Sequence, residues 1–147
     1  MRTKVNRFIA VVIVLATLSS MMVSAFASDT DTGIAPHASY YISSVYAYSS
    51  GGTGSITVHF NIVPTGKMTT LGATKVQIYN YNDTLVKTFY SSSTSGMLAS
   101  NVYAHSSSVT YYGATSGAKY YAIVYFEASN SSGGDSDYYV TAYATAK

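Results

Sequence analysis

Few side chains in this 147-residue chain can act as acids, bases, nucleophiles or metal ligands, and they are scattered along the sequence. Hydrolysis of a glycosidic bond needs two carboxyls about 5–10 Å apart in one cleft. Of the six acids, Asp29 and Asp31 lie near the N-terminus and Asp83 in a turn. Asp135 and Asp137 fall in a polar, glycine-containing loop, and Glu127 stands alone on an alternating segment. His37, His59 and His105 have no carboxylate or second histidine at ligand spacing, and no cysteine is present to complete a zinc set. Ser116-Gly117-Ala118-Lys119 fits the S-x-x-K nucleophile pattern, but S-D-N, K-T-G and a supporting helix are missing. "PTGKMTT" is no phosphate loop, because Asn61 stands where its first glycine is required. "GGDSD" (133–137) offers two carboxylates to calcium, which takes six to eight oxygens, and turn chemistry accounts for these aspartates more simply. The expectation is a protein that is not an enzyme and has no metal or cofactor.

What the chain has in quantity is tyrosine, 16 in all, with no tryptophan. "SGAKYYAIVYFEASNSSGGDSDYYVTAYATA" (116–146) places several of them on two alternating runs joined by a polar turn. In "KYYAIVYFEA", a period of two puts Tyr120, Ala122, Val124, Phe126 and Ala128 on one face and Tyr121, Ile123, Tyr125 and Glu127 on the other. The first set suits a core. The second carries the charge and most of the hydroxyls, and should face outward. Tyrosine favours strands and pairs well across them, so most of these rings are read as sheet-builders. The outward set, Tyr121 and Tyr125 with Tyr139 and Tyr143, is the candidate contact surface.

These rings must be positioned by strands. "SITVHFNIV" (55–63) is the cleanest, with Ile56, Val58, Phe60 and Ile62 pointing one way and Thr57, His59 and Asn61 the other. "YYISSVYAY" (40–48), "TKVQIYNY" (74–81), "TLVKTFY" (84–90) and "SVTYYGA" (108–114) are further strands, with a weaker segment around "MLASNVYA". Asn82-Asp83 marks a tight hairpin turn, and "PTGKMTTLGA" breaks the pattern between two strands. Outside the N-terminus no window carries a capped helical period. About seven strands with regular turn signals predict an all-β, single antiparallel sandwich over residues 40–147, with a closed barrel as the competing architecture.

Residues 1–27 carry the n-region, h-region and A-x-A pattern of a helical secretory signal peptide. Arg2, Lys4 and Arg7 precede the apolar "FIAVVIVLATL", and "AFA" ends at Ala27. Cleavage after Ala27 would release an extracellular chain with no membrane segment, opening on a flexible leader, "SDTDTGIAPHAS" (28–39). It would also remove every arginine and leave five lysines against six acids, a formal charge of −1. Nucleic-acid binding needs a basic footprint and favours arginine, so nucleic acid is not an expected partner.

"SGAKYYAIVYFEASNSSGGDS" resembles the last hairpin of fibronectin type III and related immunoglobulin-like domains. On that resemblance Gly117 and Tyr120 hold the tyrosine-corner positions, where the phenol bonds to backbone upstream. Ser116 stands in place of the usual proline, and Phe60 takes the space of the usual tryptophan. The chain as a whole resembles a family of small secreted proteins of Gram-positive bacteria, of unknown function. The resemblance rests on "GSITVHFNIVPTGKMTTLGATKVQIY" (54–79), "SSSVTYYGATSGAKYYAIVYFEA" (106–128) and the "SSGGDSDYYVTAYATAK" ending. It implies a compartment and no reaction. The functional expectation is a secreted, non-enzymatic extracellular protein that binds a glycan, the cell envelope or another extracellular protein. A secreted antimicrobial or toxin-like protein is the alternative.

Overall fold

A computed structural model describes residues 39–147. The signal peptide expected over 1–27, and all of the leader but Ser39, lie outside the described residues. The chain is all β, with no helix among the described residues. Its strands are β1 (Ile42–Gly52), β2 (Ser55–Pro64), β3 (Thr70–Asn80), β4 (Leu85–Tyr90) and β5 (Leu98–Ala99), followed by β6 (His105–Tyr112), β7 (Lys119–Asn130), β8 (Gly133–Val140) and β9 (Ala144–Thr145). Seven are long and two are two-residue pairings. A three-stranded sheet, β1-β2-β6, packs on a larger one ordered β4-β3-β7-β8, with β5 on β3 and β9 on β7. Every pairing is antiparallel. The two sheets form a sandwich rather than a closed barrel.

Alternation along the strands builds the core. Ile56, Val58, Phe60 and Ile62 of β2 join Val76 and Ile78 of β3 and Ala122, Val124, Phe126 and Ala128 of β7, all of them buried. The Phe60 and Phe126 rings meet edge to face across the sheets at 6.2 Å, a favoured aromatic geometry. Met68 and Met97, from the connections, are also sealed inside. The buried polar side chain Thr141 is fully occupied. Its hydroxyl accepts from Ala122 N–H (3.0 Å) and shares a bond with Ser49 (2.8 Å), tying β7 to β1.

Several boundaries differ from the sequence reading. β3 begins at Thr70, so the break after β2 is shorter than expected, and the connection closes back through paired backbone bonds between Met68 and Val102. Gly72 lets this happen, because a side chain there would run into the Met97 carbonyl. β6 starts at His105 rather than Ser108, since Ser106 and Ser108 pair with β2 without adding any apolar signal. Asp135 and Asp137 sit on β8, not in a loop, because β7 and β8 are joined by only Ser131 and Ser132. The β3–β4 turn follows the expected chemistry. Asp83 takes a positive φ of 58°, and the Asn80 side chain accepts from the N–H groups of Asn82 and Thr84.

Candidate functional site

The outer face of the larger sheet collects the outward tyrosines into rows set by strand register. The first row runs Leu85, Tyr79, Tyr121, the second Thr88, Gln77, Ile123, Val140, and the third Tyr90, Lys75, Tyr125, Tyr138. Glu127 and Ser136 follow one step further along β7 and β8. A bulge at Thr74 makes the third row possible. It adds one residue between Ala73 and Lys75, so that Ala73 and Val76 both reach the core while Lys75 turns outward.

The rings are occupied with one another. Tyr79 and Tyr121 stack face to face, 5.3 Å between centroids and 14° between planes, and Tyr143 meets Tyr121 edge-on at 5.3 Å. Lys75 Nζ lies 3.9 Å from the centre of the Tyr125 ring, a cation–π contact, and Tyr138 leans on the same ring at 6.2 Å. The Tyr121 hydroxyl donates to Asp83 (3.0 Å). Partial burial among these rings, the bond to Asp83 and the charge of that carboxylate push the Tyr121 phenol up to about 12. Between the third row and Ser136 lies a shallow depression of about 280 Å³, lined by Lys75, Tyr125 and Tyr138 together with Thr74, Phe126 and Asp137.

Of the residues named from the sequence, Tyr121, Tyr125 and Tyr143 come together here. Tyr139 does not. The two-residue turn puts Tyr138 opposite Tyr125 and Tyr139 opposite Val124, so Tyr139 packs inward against the core edge and touches Tyr46 of β1 at 5.6 Å. Tyr79, Tyr138, Lys75 and Asp83 complete the surface and were not singled out by the sequence reading. Pairing "TKVQIYNY" with "KYYAIVYFEA" would have found Tyr79, but the Thr74 bulge hides the register. Tyr120 is buried, and its hydroxyl accepts from Thr115 N–H at 2.9 Å, five residues upstream. Gly117 makes the intervening turn with a φ of 78°.

Elsewhere, Asp135 anchors the start of β1. Its carboxylate accepts from Tyr41 N–H and the Ser39 hydroxyl, each at 2.8 Å, and those bonds hold it below the ordinary carboxylate range. Among the described residues no three potential metal-ligating side chains gather. Compared with protein-family models and with curated proteins, the sequence matches none of them.

Proposed function

We propose that this is a secreted, non-enzymatic extracellular module with a fibronectin type III-like sandwich, whose contact surface is the outer face of the larger sheet. The strand order β1-β2-β6 against β4-β3-β7-β8 supports the immunoglobulin-like reading, as do the buried Tyr120 and its backbone bond. The basic, apolar N-terminus ending in "AFA" supports secretion, and kinship with the small secreted proteins of Gram-positive bacteria rests on the motifs quoted above.

The observation that carries the contact surface is the anatomy of that face. The apolar half of the second row, Ile123 and Val140, runs between two tyrosine groups, with Thr88 and Gln77 continuing the row and Lys75 and Glu127 toward one end. An apolar centre with an aromatic and polar rim is how protein contact surfaces are built, and tyrosine is enriched at their energetic centres. Stacking of a sugar needs open ring faces, and here Tyr79 and Tyr121 each turn one face to the other while Tyr125 turns one to Lys75. The partner this favours is therefore another extracellular or envelope protein over a bare glycan. The test is capture from extracellular and envelope fractions on immobilised protein, repeated with Tyr121→Thr/Tyr125→Thr. The account expects specific capture that the double variant loses while keeping its fold. Capture that survives the double change would remove the contact role and leave these tyrosines as sheet-builders.

A further inference from the structure

We propose that the four most exposed tyrosines, Tyr40, Tyr81, Tyr103 and Tyr112, are sites of oxidative coupling that joins copies of this chain covalently through dityrosine bonds. Their exposures are 80, 64, 68 and 80%. Tyr81, Tyr103 and Tyr112 have no aromatic neighbour among the described residues, and Tyr40 has one, Tyr41, in a T-shaped contact at 5.1 Å. Their ring edges, where coupling takes place, are open to a second molecule.

Among the described residues an oxidant finds no easier target. Thiolates and exposed thioethers are the usual first sites of oxidation, but the chain has no cysteine and no tryptophan. Met68 and Met97, the methionines among the described residues, are only 2 and 0% exposed. The remaining tyrosines are all less exposed, with Tyr143, Tyr46 and Tyr90 next at 56, 54 and 52%. Tyr120 is buried, and Tyr79 and Tyr121 lie with their faces together, the Tyr121 hydroxyl held by Asp83. Carbon–carbon coupling joins rings edge to edge, so a face-to-face pair is badly arranged for it.

The co-reactant is hydrogen peroxide, used by a separate haem peroxidase. Each of two phenols gives up one electron and one proton, and the peroxide takes both pairs and leaves as two waters. The two phenoxyl radicals then form one bond between ortho carbons. Each ortho hydrogen moves to its own ring's oxygen, which restores two phenols.

Position gives this chemistry a consequence. Tyr81, in the β3–β4 turn, and Tyr112, at the end of β6, lie at the end of the sandwich where Tyr120 pairs with Asn80 and bonds Thr115. Tyr40 and Tyr103 lie at the other end, beside Thr65 and the Met68–Val102 bridge. One site per molecule would stop at dimers, whereas sites at both ends build chains and networks. A cysteine-free extracellular protein would gain by this route the covalent links that others obtain from disulfides.

The experiment treats the purified protein with hydrogen peroxide and a haem peroxidase, followed by a denaturing gel, dityrosine fluorescence and peptide mapping. The expected result is a ladder extending beyond the dimer, fluorescent in every covalent band, with links mapped to the four tyrosines. Tyr40→Phe/Tyr81→Phe/Tyr103→Phe/Tyr112→Phe should melt like the parent and lose that ladder. Links mapped in the unaltered protein to Tyr79, Tyr120 or Tyr121 would overturn the proposal. So would a fluorescent species that remains monomeric, or a quadruple variant that forms multimers as fast as the parent.

Discussion

The two outer faces of the sandwich are built from the same strand alternation and have opposite characters. On the three-stranded sheet, β1, β2 and β6 set side by side Ser50, Thr57 and Thr110, then Tyr48, His59 and Ser108, then Tyr46, Asn61 and Ser106. Most of these polar groups satisfy one another: Thr57 with Thr110 at 2.9 Å, Asn61 with Ser106 at 2.6 Å, Ser50 with His59 at 3.3 Å. The larger sheet instead turns Ile123, Val140 and a group of tyrosines outward, with Lys75 and Glu127 beside them. Hydroxyl pairs across strands are content in water. An apolar pair between rings is not, and this asymmetry is why the contact surface is proposed for the second face. Inward and outward rings differ in the same way, one set held by the core and the other by its neighbours on the surface.

The largest test of that division compares adjacent residues of β7. Phe126→Ala should cost about 3–5 kcal/mol, because it empties core space that Phe60 packs against. Tyr125→Ala, one residue away on the outer face, should cost far less in the same denaturant melt. Similar losses would mean that the outer face is as tightly built as the core. Next in size is Tyr120→Phe, which removes the acceptor for Thr115 N–H and should cost about 1 kcal/mol. Tyr121→Phe, losing a surface bond to Asp83, should cost less, and the reverse order would put the two tyrosines on each other's faces.

Smaller again is the hydroxyl ladder. Thr57→Val should lower stability by about 0.2–1 kcal/mol, the usual range for a cross-strand pair, and leave binding unchanged. A loss of binding would move the contact surface to the three-stranded sheet. The last of these concerns the Tyr121 phenol in alkali. Its phenol is raised from 10.0 to about 12 in the folded chain, so the fold favours the neutral form. That contribution is whole below about pH 10 and is lost as pH rises through about 12. Asp83→Asn should bring the Tyr121 titration, followed by NMR of ring-labelled tyrosine, back toward ordinary phenol values. An unmoved titration would mean that Asp83 is not what holds the proton.

How much of this was legible beforehand follows from where side chains alternate. "KYYAIVYFEA" sorts by period two because small, branched and aromatic residues mark every second position, and β7 buries the five residues so assigned. β2 is read in the same way. "SNSSGGDSDYYV" has no apolar marker until two identical residues in succession, so the sequence reading sets Tyr139 outward where the two-residue turn puts Tyr138. The Thr74 bulge left no trace in a strand whose outward residues are already mixed. Met68 and Met97, inside connections rich in serine, threonine and glycine, were invisible as core residues because a single buried side chain in a loop has no period.

The most direct measurement of the central claim sets one face against the other in a single binding experiment. Tyr121→Thr/Tyr125→Thr and Tyr46→Thr/Tyr48→Thr each remove two outward rings and keep strand preference, the first from the larger sheet and the second from the three-stranded sheet. Both should remain folded, and capture of extracellular and envelope partners should be lost only by the first. Capture lost by the second pair and kept by the first would contradict the assignment of the contact surface to the face that carries Tyr121 and Tyr125.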